Sequence, residues 1–283
     1  MIPSSFDYVA PDSIESALAA LAEAGDEGKI LAGGQSLVPV LRLRLAAPGM
    51  IVDLRKISEL TGVRLDGDSV VIGAMTTHHD VVNDPIIGKH IALLSKTSAT
   101  VADPQVRHRG TLGGALVHAD PAGDLGAVAV ALDAVFEIAG PDGRRSVGAA
   151  DFFEDYFTTA VAENELLVSI RFPSYAGWGA HYEKFTRVAQ SWSIVSVAAA
   201  IQVTDGTVSA ARVGLTNMGP VPIRASSVEA ALIGGPATAE AIKAAAAAAA
   251  DGTSPVDDTS AAADYREHLA RVLTERAVLA AVG

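Results

Sequence analysis

The chain has no cysteine. That absence removes disulfides, thiolate nucleophiles and any iron–sulfur or zinc site built on sulfur. Positive charge is scarce too: 21 basic residues stand against 33 acidic ones, for a net charge of −12 over 283 residues. Such a surface repels phosphate backbones and excludes nucleic acid as the main partner, although a local pocket can still take a small phosphate ligand. No run approaches the roughly twenty apolar residues of a bilayer span. The opening Met1-Ile2-Pro3-Ser4-Ser5-Phe6-Asp7 lacks the basic-then-apolar order of an export signal, so a cytoplasmic location is expected. Three nucleotide and hydrolase fingerprints are missing as well: Gly-x-Gly-x-x-Gly between strand and helix, Gly-x-x-x-x-Gly-Lys-Ser/Thr, and Gly-x-Ser-x-Gly.

What is present is globular. Apolar residues make up 49% and charged ones 19%, which excludes disorder and supplies core for two domains. A helix is predicted from the Pro11-Asp12-Ser13 cap through Ile14, Ala17, Leu18 and Leu21 to Gly25. Strands follow at Lys29–Ala32 and Ile51–Leu54, and Asp66-Gly67-Asp68 signals a hairpin between Gly62–Leu65 and Ser69–Ile72. Residues 76 to 100 read as helical segments broken at Asp84-Pro85, and 103 to 124 as a loop rich in glycine and charge. After an apolar stretch at Leu125–Ala134 come Val135–Ile138, its hairpin partner beyond Gly143, and the strand Leu166–Phe172 stopped by Pro173. Turn residues at 174 to 179 suggest a boundary. Beyond it, long antiparallel strands flank Asp205-Gly206, and helices are expected over Arg224–Ile233, Ala239–Ala250 and Ala263–Val282. The last shows a stripe of Tyr265, Leu269, Val272, Leu273 and Arg276.

Two loops carry paired glycines. In Leu31-Ala32-Gly33-Gly34-Gln35-Ser36-Leu37 a strand gives way to a turn whose amides can converge on an anion, with side chains that add hydrogen bonds. A tight strand–helix turn explains this loop equally well. The second, Arg107-His108-Arg109-Gly110-Thr111-Leu112-Gly113-Gly114-Ala115, leads to Asp120 and Asp124. Its first half suits phosphate, and a carboxylate such as Asp124 suits a sugar hydroxyl. Together the loops imply a long ligand with a diphosphate in its middle, a dinucleotide. His78-His79 read as surface or capping histidines, since neighbours in sequence point apart and no carboxylate stands at ligand spacing. Trp192, in Ser191-Trp192-Ser193, fits either packing or a ligand face.

Taken in order, Ala32–Leu37, Arg42-Leu43-Arg44, Asp53-Leu54, Ile72-Gly73-Ala74-Met75-Thr76-Thr77 and Arg109–Gly114 resemble the FAD-binding medium subunit of molybdenum hydroxylases. The similar branches are the carbon monoxide dehydrogenase medium chain and the flavin domain of xanthine dehydrogenase. The resemblance implies an α+β fold: a two-part FAD-binding domain of the PCMH (vanillyl-alcohol-oxidase-like) type at 1–176, with parts at about 1–56 and 57–176. A smaller C-terminal domain at 177–283, with an antiparallel sheet and helices, completes it. It implies FAD held by Ala32, Gly33, Gly34, Gln35 and Ser36 and by Thr111, Gly113, Gly114 and Ala115 at the diphosphate. Asp124 would bind the ribityl or ribose part, Leu167 and Lys184 would lie by the ring system, and Val101 would be a lesser contact. Where the family commonly has asparagine after Thr-x-Gly-Gly, this chain has Ala115, which loses a side-chain hydrogen bond.

The implied role is electron transfer. A small iron–sulfur subunit and a large molybdopterin subunit would join this chain in a dimer of heterotrimers, and FAD would pass electrons to an external acceptor. No catalytic acid, base or metal ligand is expected in the chain itself. Three alternatives compete: a stand-alone flavin oxidase of the same fold, a scaffold that has lost flavin, and a phosphate-metabolite transferase. The first would need a larger C-terminal domain, the second would spoil the glycine loops, and the third would need a base and metal ligands that are not found.

Overall fold

The structure is a computed structural model that describes residues 2–283. Three units follow one another along the chain. The first comprises β1 (Asp7–Val9), α1 (Ile14–Ala24), β2 (Gly28–Leu31), α2 (Leu37–Arg42) and β3 (Met50–Asp53). Its strands form a parallel sheet in the order β1-β3-β2. Helix α1 begins where the Ser13 side chain accepts from the Ser16 amide, and it buries Ile14, Ala17 and Leu21 against that sheet, as their spacing predicts. Asp53, buried at the end of β3, accepts hydrogen bonds from Tyr8 Oη and from the backbone and side chain of Arg55. Burial opposes its charge, but the Arg55 bonds prevail and hold the carboxyl below the usual carboxylate range.

The second unit starts with the hairpin β4 (Val63–Asp66) and β5 (Ser69–Gly73). Seven elements then run through α3 (His78–Asn83), α4 (Pro85–His90), α5 (Ala92–Ser98), α6 (Pro104–Arg107), α7 (Leu112–His118), α8 (Asp124–Ala131) and β6 (Val135–Gly140). It closes with β7 (Gly143–Gly148), α9 (Ala149–Phe152), β8 (Phe153–Asp155), β9 (Thr158–Thr159) and β10 (Leu166–Pro173). The main sheet is antiparallel in the order β4-β5-β10-β6-β7, so the last strand inserts between the two hairpins. A register shift between Leu167 and Ser169 bends β10 at the position nearest the cleft described below.

The segment 103–124 departs from the loop expected of it. Asp103 caps α6 through the Val106 amide, and Thr111 caps α7 through the Gly114 amide, so each short helix is started by a side chain. The apolar stretch after it is α8, buried on every side.

The C-terminal unit is an antiparallel sheet of β11 (Gly179–Phe185), β12 (Val195–Thr204), β13 (Thr207–Thr216) and β14 (Ile223–Arg224). Against one face pack α10 (Ser226–Leu232), α11 (Ala239–Ala246) and α12 (Ala263–Val282). The other face meets α8, and one core runs across the seam from Ile72, Phe136 and Ile170 to Tyr182 and Ala198. Gly214 of β13 lies so near α8 that a Cβ there would stand 2.2 Å from the Ala127 carbonyl oxygen. Helix α11 stops at Ala246, with a tighter turn over Ala247–Ala250. In α12 the buried stripe is Arg266, Leu269, Ala270, Leu273, Thr274, Ala277 and Val278, and the expected Tyr265 and Arg276 are exposed. Arg266 can lie inward because Asp258 pairs with it at 2.6 Å and the Ile194 carbonyl accepts from it. Among the described residues no helix is long and apolar enough to cross a membrane.

Candidate functional site

A cleft of about 570 Å³ opens where all three units meet. All thirteen residues singled out from the sequence line it: Ala32, Gly33, Gly34, Gln35, Ser36, Val101, Thr111, Gly113, Gly114, Ala115, Asp124, Leu167 and Lys184. Its volume falls within the range of small-molecule sites, and its walls are mainly apolar with a few converging polar groups.

The two glycine loops play different parts. Between β2 and α2, the amides of Gly33, Gly34, Gln35 and Ser36 donate to no acceptor among the described residues. They form a run of free donors leading into a helix N-terminus, an arrangement suited to an anion. From Leu112 to Ala115 the second loop has spent its amides. Leu112 donates to the Thr76 carbonyl at 2.9 Å, Gly113 to the Ala74 carbonyl at 2.8 Å, and Gly114 to Thr111 Oγ1 at 3.1 Å. Its glycines serve close approach instead. At Gly33 a Cβ would stand 2.2 Å from the Arg109 carbonyl oxygen and 2.7 Å from the Gly110 Cα. Only glycine lets the two loops touch there. Arg107 donates to the Val101 carbonyl at 2.9 Å and so braces that wall, while Arg109 is exposed and does not line the cleft.

Asp124, the first residue of α8, is buried. Tyr182 Oη and Ser193 Oγ each donate to its Oδ1 at 2.7 Å, and Lys184 Nζ meets Oδ2 at 2.7 Å. Burial and the neighbouring Asp124 charge push the Tyr182 phenol well above its usual range, so it stays a neutral donor. The carboxylate is thereby fixed in place by a cation and two hydroxyl donors, with no bond to Asp120, whose Oδ1 accepts from the Ala122 amide. Tyr182 and Lys184 stand two apart on β11 and so share a face, a signal present in the sequence that would have placed Tyr182 in the site.

His78 corrects the surface reading given to it. It is 3% exposed, lines the cleft, and has an Nδ1 sealed from solvent with no partner. Burial, reinforced by the Arg107 charge, pushes its imidazole down to about 4. His79 is exposed and stacks on His108 at 3.9 Å. Trp192 lies at the cleft mouth and is 57% exposed. Among the described residues no group of three metal-ligating side chains occurs.

A cleft lined by unpartnered amides, a fixed carboxylate–lysine pair and mainly apolar walls fits a dinucleotide with a large planar ring. Residues 4–175 match the family of FAD binding domains in molybdopterin dehydrogenases, and residues 180–281 match the CO dehydrogenase flavoprotein C-terminal domain. The chain belongs to this family of FAD-binding subunits of molybdopterin-dependent oxidoreductases. It is 41% identical to the carbon monoxide dehydrogenase medium chain of Hydrogenophaga pseudoflava over 99% of this chain and 98% of that one. The solved carbon monoxide dehydrogenase from the same organism superposes with a TM-score of 0.96 at 43% identity, covering 100% and 99% of the two chains. Subunit alpha of the 6-hydroxypseudooxynicotine dehydrogenase complex of Paenarthrobacter nicotinovorans is 36% identical over 100% and 96%.

Proposed function

We propose that this chain binds FAD in the three-way cleft and serves as the electron-transfer flavoprotein of a molybdenum hydroxylase complex. When bound, FAD would supply the redox chemistry that links iron–sulfur clusters of a small subunit to an external acceptor. The observation that carries the proposal is the pairing of free amides at residues 33–36 with the buried Asp124–Lys184 pair across one cleft.

In this reading the amides of residues 33–36 hold the diphosphate, with the Thr111–Ala115 segment pressed against them as the fixed wall. Asp124 presents its carboxylate to ribityl or ribose hydroxyls while Tyr182, Ser193 and Lys184 hold it in place. Leu167, set at the bulge of β10, and Val101 supply apolar surface for the rings and keep water out. Lys184, whose charge is matched by the Asp124 carboxylate at 2.7 Å, would stand beside the ring system and fix that carboxylate there. The side chains position and polarise; none has to move a proton.

The zero cysteine count supports placing the clusters on a partner, and the −12 net charge supports a protein or small-molecule acceptor over nucleic acid. We read the partners as a small iron–sulfur subunit and a large molybdopterin subunit, assembled in the cytoplasm as a dimer of heterotrimers. The division of the chain is read as 1–176 for FAD binding, with parts at 1–56 and 57–176, and 177–283 for the C-terminal domain. Relatives named for carbon monoxide and for 6-hydroxypseudooxynicotine share one chain design, which supports substrate selection by the large subunit.

The test is a visible spectrum of the purified chain, alone and co-expressed with its partners, followed by acid release of the chromophore. FAD absorption without iron–sulfur bands in this chain is the expected result. A colourless chain within a coloured, assembled complex would refute the proposal.

A further inference from the structure

His78 has no place in the arrangement just described, yet it is the buried titratable side chain of the cleft that lacks a partner. It starts α3, and its backbone amide donates to the Gly110 carbonyl at 2.9 Å. Its ring lies beneath Gly110: a Cβ there would stand 2.9 Å from Cδ2 and 3.2 Å from Nε2. The same peptide is the one that Gly33 touches. The ring edge bearing Nε2 packs closely against Gly110, both residues line the cleft, and Nε2 is not sealed as Nδ1 is.

The tautomer follows from burial. Nδ1 is sealed and has no acceptor, and an unsatisfied buried N–H is costlier than an unused lone pair, so Nδ1 carries no proton. The ring is neutral at physiological pH, so its one proton sits on Nε2. That leaves a fixed, neutral N–H donor in the wall of the cleft that the run of amides also lines. Resting on the dinucleotide reading above, we propose that His78 is a cofactor-positioning residue whose Nε2–H donates to an oxygen of the FAD diphosphate. It would extend the amide run with a side-chain donor from the second unit.

The experiment uses the full-length chain freed of flavin and titrated with FAD, read by quenching of flavin fluorescence. His78→Gln places an amide nitrogen near the Nε2 position, whereas His78→Asn reaches only as far as Nδ1. A hydrogen bond to a charged oxygen leads to a loss of about 10-fold or more in FAD affinity for His78→Asn, with His78→Gln within about 3-fold of wild type. Equal affinity of both variants and wild type, or an equal loss in both, overturns the proposal. A second measurement needs no variant: 15N shifts of the His78 ring in the wild-type chain, before and after FAD. The expected spectrum has a bare Nδ1 and a protonated Nε2 that moves on FAD addition. A proton on Nδ1, or an Nε2 indifferent to FAD, overturns it. Wild-type protein that binds no FAD refutes the cleft reading itself, and is distinguished from the cases in which only His78 is silent.

Discussion

The contact between Gly33 and the Arg109–Gly110 peptide makes Gly33→Ala a sharp test of how the cleft is built. The added methyl would lie 2.2 Å from the Arg109 carbonyl oxygen and 2.7 Å from the Gly110 Cα, both backbone atoms with no rotamer to yield. Relief requires the two loops to part by about 1 Å, at an overpacking cost of about 1 to 3 kcal/mol. The first loop carries the free amides and the second forms the wall behind them, so the displacement falls on the diphosphate seat. Affinity for FAD should fall by about 10- to 100-fold, since each tenfold loss corresponds to about 1.4 kcal/mol. Isothermal titration with FAD measures this, and thermal unfolding of the flavin-free protein separates it from simple destabilisation. Gly88→Ala is the matched control: Gly88 is exposed on α4, and a methyl added there would meet nothing within 4 Å. It should leave FAD binding unchanged and stabilise the protein by up to about 1 kcal/mol. If Gly33→Ala binds FAD as wild type does, the loops are not pressed together as described and the reasoning fails.

Other consequences are equally direct. Asp124→Asn leaves Lys184 buried without its counter-charge and should cost about 3 to 5 kcal/mol in chemical denaturation, besides weakening FAD binding. Stability should depend on pH through His78. Its imidazole lies near 4 in the fold against an ordinary 6.5, so the unfolded chain takes up the proton first as pH falls. The neutral-histidine contribution is therefore full above pH 6.5 and is lost towards pH 4, by about 3 kcal/mol in all; urea titrations should show His78→Gln lacking that slope. Ala119 closes α7 with φ at 48°, in the left-handed region, and Ala119→Gly should raise the melting temperature through about 0.5 kcal/mol of relieved strain.

Much of this architecture could be read from the chain alone, and the reasons are local. Paired glycines after a strand, a Ser13 cap with apolar residues at helical spacing, and Asp205-Gly206 between long strands all express rules that act within a few residues. What escaped depends on contacts distant in sequence. His78 looks like a surface residue until Gly110 folds over it. Arg266 belongs to the buried face of α12 because Asp258 and the Ile194 carbonyl meet it there, and neither can be inferred from the helix's own spacing. The second loop looks like a twin of the first, yet β5 and its flanking residues take its amides, so the twins divide into donor and wall. Fully buried α8 gave no periodic signal because every face of it is covered.

Helix α8 has one more implication, for recombination between relatives. It is encoded with the first 176 residues, yet the groups that pair with and orient its leading Asp124 come from Tyr182, Lys184 and Ser193, and Gly214 admits its backbone to the C-terminal sheet. A chimaera that joins the front of one family member to the back of another at the turn near 176 would therefore inherit half of a lock. Functional crossovers should be those in which Tyr182, Lys184, Ser193 and Gly214 travel with the helix they hold, so that ancestry is shared across the seam even where the flanking surfaces differ.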